Sequence, residues 1–371
     1  MKNFDYTKYS DIAYDSRKVI ANSIFVAIKG IALDGHEYIE KALQLGAKLI
    51  VLNEDEYKQR QSEFDSLFGK YSADHELSLD TRLKLADIAN IFYKEPSKDI
   101  CIIGVTGTNG KTTITHLIQS LLDDCAILGT MGLRKTCDSA YLDQGNTTPQ
   151  NKEVQKIIRD LVDGHISEQG SEKNMSSKKP FKYLAMEVSS HALDQFRVAC
   201  LSFKYAIVTN LTQDHLDYHK TMDHYFKTKA KIFAQTQEYA ILNLDDKYFK
   251  QFETEALKSK LKVLSVSVQN PDADFFAADI NYDFYGLSYN LRTKNHGTIT
   301  IKTQLNSEFN IYNSMFAIAV ALKEGIKPEK ITEIFANIKV IPGRFEAIKE
   351  EHTPLCIVDY AHSPDGLLNV L

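Results

Sequence analysis

Ten residues, Gly104-Val105-Thr106-Gly107-Thr108-Asn109-Gly110-Lys111-Thr112-Thr113, carry the plainest chemistry in this sequence. They join a continuous apolar run, Ile100–Val105, to a segment with helical spacing, 112–122. Glycines let backbone N–H groups close on a phosphate without side-chain interference. A helix that starts there adds about half a positive charge at its N-terminus. Lys111 is placed to reach outer phosphates, and the Thr112 hydroxyl to meet magnesium. The usual phosphate-loop spacing wants glycine where Val105 stands, so this is a variant loop.

Other residues add charge and polarity around such a loop. Glu187 closes the apolar stretch 183–186, at the strand end where α/β sheets place ligands, and a carboxylate there can hold magnesium. His215 and His219 are four apart, which imitates a zinc site, but Leu216 stands where a zinc protease needs Glu. Lys227, Lys229 and Lys231 crowd one helix; a solvated basic face is the plain reading for Lys227 and Lys231. Asn310 and Asn313 begin a helix, where amides either read an adenine edge or, for Asn310, form a simple N-cap.

Gly107-Thr108-Asn109-Gly110-Lys111-Thr112-Thr113 resembles the nucleotide loop of the Mur ligases and their folylpolyglutamate synthase relatives. Three further stretches, Met186–Leu193, Asn210–His219 and Asp359–Asp365, resemble one branch of the Mur ligase family. That branch adds the third amino acid to UDP-MurNAc-L-Ala-D-Glu. Asp15-Ser16-Arg17, 25–30 and Asp34-Gly35-His36 are similar to the family's uridine-binding first domain. The resemblance runs from about residue 10 to 371 and is weak over 53–79 and 163–180.

The resemblance implies ATP as substrate, two magnesium ions and an acyl-phosphate route to an amide. It implies nucleotide contacts from residues 107–113, Asn310, Asn313, Arg344 and Asp359, with Arg344 on the phosphates and Asp359 on the ribose. Thr112, Glu187, His215 and a carbamylated Lys229 become the metal set, and Lys111, Glu187, His215, Lys229 and Arg344 the catalytic one. Ser16, Thr147, Thr148, Ser189, Gln195 and Arg197 match positions that hold the UDP-sugar peptide; Ile31 and Ala32 are apolar where some relatives carry polar uridine contacts.

The elements that must position these groups read as α/β. Residues 1–97 form a small α/β unit, the expected UDP-sugar domain, with strands at 24–28 and 48–52 and helices at 37–46 and 81–93. Residues 53–79 show little periodicity. Pro96 marks a boundary. Residues 98–343 alternate apolar strands and helices, which predicts a mostly parallel sheet with flanking helices and an ATP site. Period-two alternation over 275–305 predicts antiparallel strands, and 163–179 reads as a mobile polar insertion. Pro342-Gly343 is a second boundary. Residues 344–371, a buried strand at 355–359 and the first turns of a helix, are too few to enclose a core, so they read as the start of a truncated, Rossmann-like third domain.

Composition narrows the setting. With 371 residues, 43% hydrophobic and 25% charged, the chain reads as globular with more than one domain. The net charge of −5 gives no basic field for nucleic acid. No apolar run approaches a membrane span, and no apolar leader follows Met1, so a cytoplasmic location is expected; a monomer is the expected state. Five scattered cysteines without Cys-x-x-Cys read as reduced thiols. Another Mur ligase, a folylpolyglutamate synthase and a non-catalytic nucleotide-binding fragment stay open as alternatives. The choice of diaminopimelate or lysine is unreadable, because the third domain's selectivity motif has no counterpart.

Overall fold

A computed structural model describes residues 4–30, 33–165, 179–283, 286–338, 340–348 and 354–370. Ile31, Ala32 and residues 166–178 of the polar stretch 163–179 lie outside the described residues. The chain divides into two compact units. One comprises Met1–Pro96, Gln150–Arg159 and Gln195–Leu201, and the other holds the remainder, including residues 344–371.

In the first unit β1 (Ile12–Ala13), β2 (Ile24–Val26), β3 (Leu49–Asn53) and β4 (Asp74–Ser78) form a parallel sheet in that order. Its helices are α1 (Ile39–Gln44), α2 (Glu54–Gln59), α3 (Gln61–Tyr71) and α4 (Thr81–Phe92). Strand residues alternate between faces, and here both faces are apolar. Phe25, Ile50 and Leu52 pack with α1 and α3, while Ile24, Leu49 and Val51 pack with Leu85, Ile88 and Ala89 of α4.

Residues 53–79 correct the sequence reading, since α2, α3 and β4 all fall there. The apolar signal is thin for a physical reason. No residue of α2 is buried, and α3 buries only Phe64 and Phe68, one helical turn apart. β4 lies at the sheet edge and none of its residues is fully buried.

The second unit is built on β5 (Cys101–Thr106), β6 (Cys125–Gly129), β7 (Gly132–Arg134), β8 (Tyr183–Glu187), β9 (Phe203–Val208), β10 (Thr236–Asn243), β11 (Lys262–Ser267), β12 (Phe275–Asp283), β13 (Gly286–Thr293) and β14 (Gly297–Thr303). They form one ten-stranded sheet ordered β14-β13-β12-β11-β10-β9-β5-β8-β6-β7. From β6 to β12 the pairs are parallel; β7, β13 and β14 add antiparallel edges, of which β7 carries no sequence signal. Central β5 has β8 on one side and β9 on the other, so the chain crosses β5 between them. Such a crossover opens a crevice at the carboxyl ends of the strands.

Helices α5 (Lys111–Leu121), α6 (Asn151–Asp163, of which the part up to Arg159 belongs to the first unit), α7 (Ser190–Asp194), α8 (Leu216–His219), α9 (Met222–Ala230), α10 (Phe249–Lys258), α11 (Phe309–Lys323) and α12 (Pro328–Asn337) follow in chain order. α11 is apolar almost all round, and Met315–Ala321 pack in the main core with Ile114, Leu117 and Ile118 of α5. No helix among the described residues is long and apolar enough to cross a membrane.

The last segment forms β15 (Glu346–Ile348), β16 (Cys356–Val358) and α13 (Pro364–Val370), with β15 and β16 antiparallel. The strand expected to be buried is therefore shorter and largely exposed: Ile357 is half-buried and Val358 exposed, because β15 is its single partner among the described residues.

Glu324 caps the carboxyl end of α11, where the helix dipole opposes a negative charge. Three donors from the sheet offset this: Lys204 Nζ at 2.8 Å, Tyr205 Oη at 2.5 Å and Tyr183 Oη at 3.0 Å. Burial alone would raise the carboxyl pKa, but hydrogen bonds from Lys204 and Tyr205 hold it below the usual range. A depressed carboxyl stabilises the fold above its unfolded pKa of about 4.3, and that contribution is lost as pH falls through the folded value. Glu324→Gln should cost about 1–3 kcal/mol at pH 7, with the gap to wild type shrinking below about pH 4. Urea unfolding at both pH values checks this; an equal gap at each would show that the charge is not what stabilises.

Candidate active site

The loop between β5 and α5 is shaped by close backbone approach. Gly107 has φ +141° and Gly110 φ +88°, conformations that L side chains rarely adopt. A Cβ at Gly107 would lie 1.8 Å from Thr209 Oγ1, and one at Gly110 2.5 Å from Asn313 Oδ1. The partner segment follows β9, the neighbour of β5. Thr209 Oγ1 donates to the Asn109 carbonyl at 2.6 Å, and Asn210 Oδ1 accepts from the Asn109 amide at 2.9 Å. The Thr108 amide donates to the Asn210 carbonyl at 3.0 Å. Two amides expected to face phosphate thus hold the loop together instead. The amides that open α5 at Lys111 and Thr112 belong to the first turn, whose N–H groups have no partner within the helix, and both residues line the cavity at this loop.

Around this loop lies a cavity of about 1230 Å³. Residues 107–113, Glu187, His215, Lys229, Asn313, Arg344 and Asp359 all line it, as do Thr147 and Ser189. Glu187 is only 1% exposed. Its Oε1 accepts from Thr112 Oγ1 at 3.0 Å and from the Thr130 amide at 3.0 Å, and its Oε2 from Thr130 Oγ1 at 3.0 Å. Gly129 gives this carboxylate room, since a Cβ there would lie 2.1 Å from Oε1. Arg344 Nη2 donates to Thr112 Oγ1 at 2.9 Å, so one hydroxyl links the guanidinium and the carboxylate.

Two lysines converge on one carbonyl. Lys111 Nζ donates to the carbonyls of Gly107 at 3.0 Å and Thr108 at 2.8 Å; Lys229 Nζ donates to the same Gly107 carbonyl at 2.8 Å. Lys229 is 1% exposed, with Nζ 4.6 Å from the centre of the Tyr225 ring. Burial pushes its amine well below the usual lysine range, and the Lys111 charge pushes the same way. Burial also lowers Lys111, against the pull of Glu187 and Asp214. Lys227 is exposed and paired with Asp223 at 2.8 Å, and Lys231 pairs with Asp194 at 2.8 Å.

His215 sits in left-handed backbone, with Nε2 3.5 Å from Asp214 Oδ2. Burial holds its imidazole below the usual range, ahead of the opposing effect of Asp214. His219 is buried and paired with Ser190 Oγ at 2.8 Å, a loop-ordering contact. Among the described residues no cluster of three or more His, Cys, Asp or Glu could hold a metal ion.

Two sequence readings need correction. Glu308 is the N-cap residue of α11, so Asn310 lies inside the first turn and is not a cap. Nor does Asn310 line the cavity: its Nδ2 donates to the Asn306 carbonyl at 2.7 Å and its Oδ1 accepts from Asn313 Nδ2 at 2.9 Å. It orients Asn313, which does face the cavity. Asp359 lines the cavity, yet its oxygens accept from the amides of Phe345 and Ala361, each at 2.7 Å.

The expected UDP-sugar residues divide between the units. Thr147, Thr148 and Ser189 belong to the second, where Thr148 Oγ1 donates to the Glu187 carbonyl at 2.9 Å and accepts from the Ser189 amide at 3.2 Å. Ser16, Gln195 and Arg197 belong to the first. There Ser16 is buried behind the Asp15 cap, and Gln195 Oε1 accepts from Arg197 Nη2 at 2.8 Å. Sequence reasoning missed Thr130 and Thr209 as site residues. Their signal was position alone, a hydroxyl just past the carboxyl ends of β6 and β9.

Comparison with known proteins places the chain. The Mur ligase middle domain matches residues 105–321, and the domain described as Mur ligase family, catalytic domain, matches residues 8–93. The chain belongs to the Mur ligase family. A UDP-N-acetylmuramoyl-L-alanyl-D-glutamate--2,6-diaminopimelate ligase of Fusobacterium nucleatum is 38% identical over 366 residues, covering 98% of this chain and 69% of the relative. A protein of the same name from Clostridium perfringens is 34% identical, covering 100% of this chain and 72% of the relative. A solved structure of a ligase with that name superposes with a TM-score of 0.75 at 26% identity, covering 98% of this chain and 69% of that one. A MurF ligase from Thermotoga maritima, solved with ADP, shares the fold at a TM-score of 0.62 and 19% identity, covering 99% of this chain and 74% of that one.

In this Mur ligase, Gly107→Ala should disrupt the loop through both φ and the contact with Thr209. We expect a loss of about 2–4 kcal/mol in stability, or a folded chain with nucleotide affinity reduced at least about tenfold. Thermal unfolding and nucleotide titration together check it; a variant unchanged in both would contradict the geometry.

Proposed function

We propose that this chain is an ATP-dependent amide ligase adding a third amino acid to UDP-MurNAc-L-Ala-D-Glu through an acyl phosphate, in cytoplasmic peptidoglycan precursor synthesis. Diaminopimelate, the amino acid in the relatives' names, is the one we assign. One observation carries the reading: Thr112 Oγ1 lies 3.0 Å from Glu187 Oε1 and 2.9 Å from Arg344 Nη2, at the loop that Lys111 closes. That arrangement suits a triphosphate.

The opening turn of α5 and Lys111 bind the outer phosphates, and Arg344 neutralises their charge. Asn313 orients the adenine and Asp359 the ribose. For the UDP-sugar peptide we assign contacts unit by unit: Thr147, Thr148 and Ser189 in the second unit, and Ser16, Gln195 and Arg197 in the first. A carboxylate oxygen of the dipeptide attacks the γ-phosphorus; the bond to the β,γ-bridging oxygen breaks and ADP leaves. The incoming amine then attacks the acyl carbon, inorganic phosphate leaves with the bonding pair, and the amine releases a proton. No side chain acts as the nucleophile. The protein aligns three anionic or polar partners and offsets their charge.

The donor set fits magnesium. Glu187 and Thr112 are hard oxygen donors, and magnesium takes few protein ligands alongside phosphate oxygens and water. Thr112, Glu187, His215 and Lys229 would hold two ions, which supply charge neutralisation on the phosphoryl group. As an ammonium, Lys229 does not fit that role. Its buried amine, held below the usual range, is the form that adds carbon dioxide: an N–C bond forms, a proton leaves and the side chain becomes an anion. The chain is taken to act as a monomer.

Lys111→Ala should weaken magnesium–ATP binding at least about tenfold while changing UDP-sugar-dipeptide binding less than about threefold, each read by calorimetry. Equal loss of both would mean that the site map is wrong. Lys229→Ala should abolish phosphate release that requires both dipeptide and diaminopimelate, with partial recovery in formate or acetate. A full rate at low carbon dioxide would remove the carbamate from the account.

A further inference from the structure

We infer that Thr130 is a positioning residue that couples the Glu187 carboxylate to the substrate loop at Thr147. The inference rests on the magnesium–nucleotide reading above and concerns a residue to which that reading gives no role. Thr130 stands just beyond β6, one residue past the glycine that makes room for Glu187. It holds both carboxylate oxygens, its amide on Oε1 and its hydroxyl on Oε2, each at 3.0 Å.

The direction of the next bond follows from counting protons. A threonine hydroxyl has one hydrogen. Thr130 gives that hydrogen to Glu187 Oε2, so its contact with Thr147 Oγ1 at 3.2 Å must be accepted from Thr147. The result is a directed chain: Thr147 O–H to Thr130 O, then Thr130 O–H to the carboxylate. The next residue of the same loop is tied to the same strand end, its Thr148 Oγ1 donating to the Glu187 carbonyl at 2.9 Å. Glu187 is thus oriented from the substrate side by Thr130 and from the phosphate side by Thr112.

A carboxylate that keeps two donors from Thr130 is held in one orientation, with Oε1 turned to Thr112 of the phosphate loop and one acceptor site left on Oε2. Removing the hydroxyl frees the carboxylate to rotate and leaves Thr147 without its acceptor. Partners of metal-binding carboxylates are worth about 10–100-fold in metal affinity or activity when lost. The same hydroxyl therefore sets two properties: how tightly magnesium supports nucleotide binding, and which way the Thr147 hydroxyl points at the UDP-sugar peptide.

The test is calorimetry of ADP on the 371-residue chain at a series of magnesium concentrations, for wild type, Thr130→Val and Thr130→Ser. Valine keeps the shape and the amide; serine keeps the hydroxyl. We expect the magnesium concentration for half-maximal ADP affinity to rise about tenfold in Thr130→Val and to return within about threefold of wild type in Thr130→Ser. Thr147→Val combined with Thr130→Val should weaken UDP-sugar-dipeptide binding no more than the stronger single variant, because the two act through one bond. A folded Thr130→Val with wild-type magnesium dependence, beside a wild type that binds magnesium–ADP, overturns the coupling alone. A wild type that binds ADP no better than Lys111→Ala overturns the nucleotide reading and the coupling with it.

Discussion

The contact between the phosphate loop and the segment after β9 constrains everything else at this site. Two backbones meet where Gly107 and Thr209 leave no room for a Cβ. That approach requires glycine at 107 and a small hydroxyl residue at 209, and it requires β5 and β9 to be neighbours. Asn210 completes the join by receiving the amides of both Thr108 and Asn109. The loop therefore has its shape fixed by its own contacts without a ligand, and preorganised donors lose little freedom on binding. Asn313, reaching Gly110 from α11, closes the other end.

Charge is arranged around that rigid loop with little surplus. Lys111 and Lys229 share the Gly107 carbonyl, Glu187 lies on the far side of Thr112, and Arg344 reaches the same hydroxyl. Burial makes each of these interactions stronger than it would be in water, and makes an unpaired charge costly. A buried lysine beside a second lysine is unfavourable as a cation, which is why Lys229 is a candidate for chemistry that changes its charge. The carboxyl end of the sheet carries this polar machinery. At the amino end Glu324 ties α11 to Lys204, Tyr205 and Tyr183.

Much of the arrangement was legible in the residues because its causes are local. The run Ile100–Val105 reads as a strand buried on both faces, and β5 is one. Alternation over 275–305 became the antiparallel β12, β13 and β14. What stayed hidden depends on distant partners. Helix α3 buries two aromatic residues in eleven, too few for periodicity to register. The strand at 355–359 is apolar, yet whether it is buried is decided by its neighbours and not by its own residues. Asn310 and Asn313 look alike in sequence; only the helix start at Phe309 determines that one faces the cavity and the other supports it. Thr130 and Thr209 are ordinary threonines until the sheet order brings them against Glu187 and Gly107.

The most direct measurement is a crystal structure of this chain grown with magnesium and a non-hydrolysable ATP analogue. The account predicts the outer phosphates at the opening turn of α5, with Lys111 Nζ moved off the Gly107 and Thr108 carbonyls onto phosphate oxygen and Arg344 beside it. The join between 107–109 and 209–210 should be unchanged. Phosphates bound elsewhere in the cavity, or a Lys111 that stays folded onto its own loop, would contradict the account.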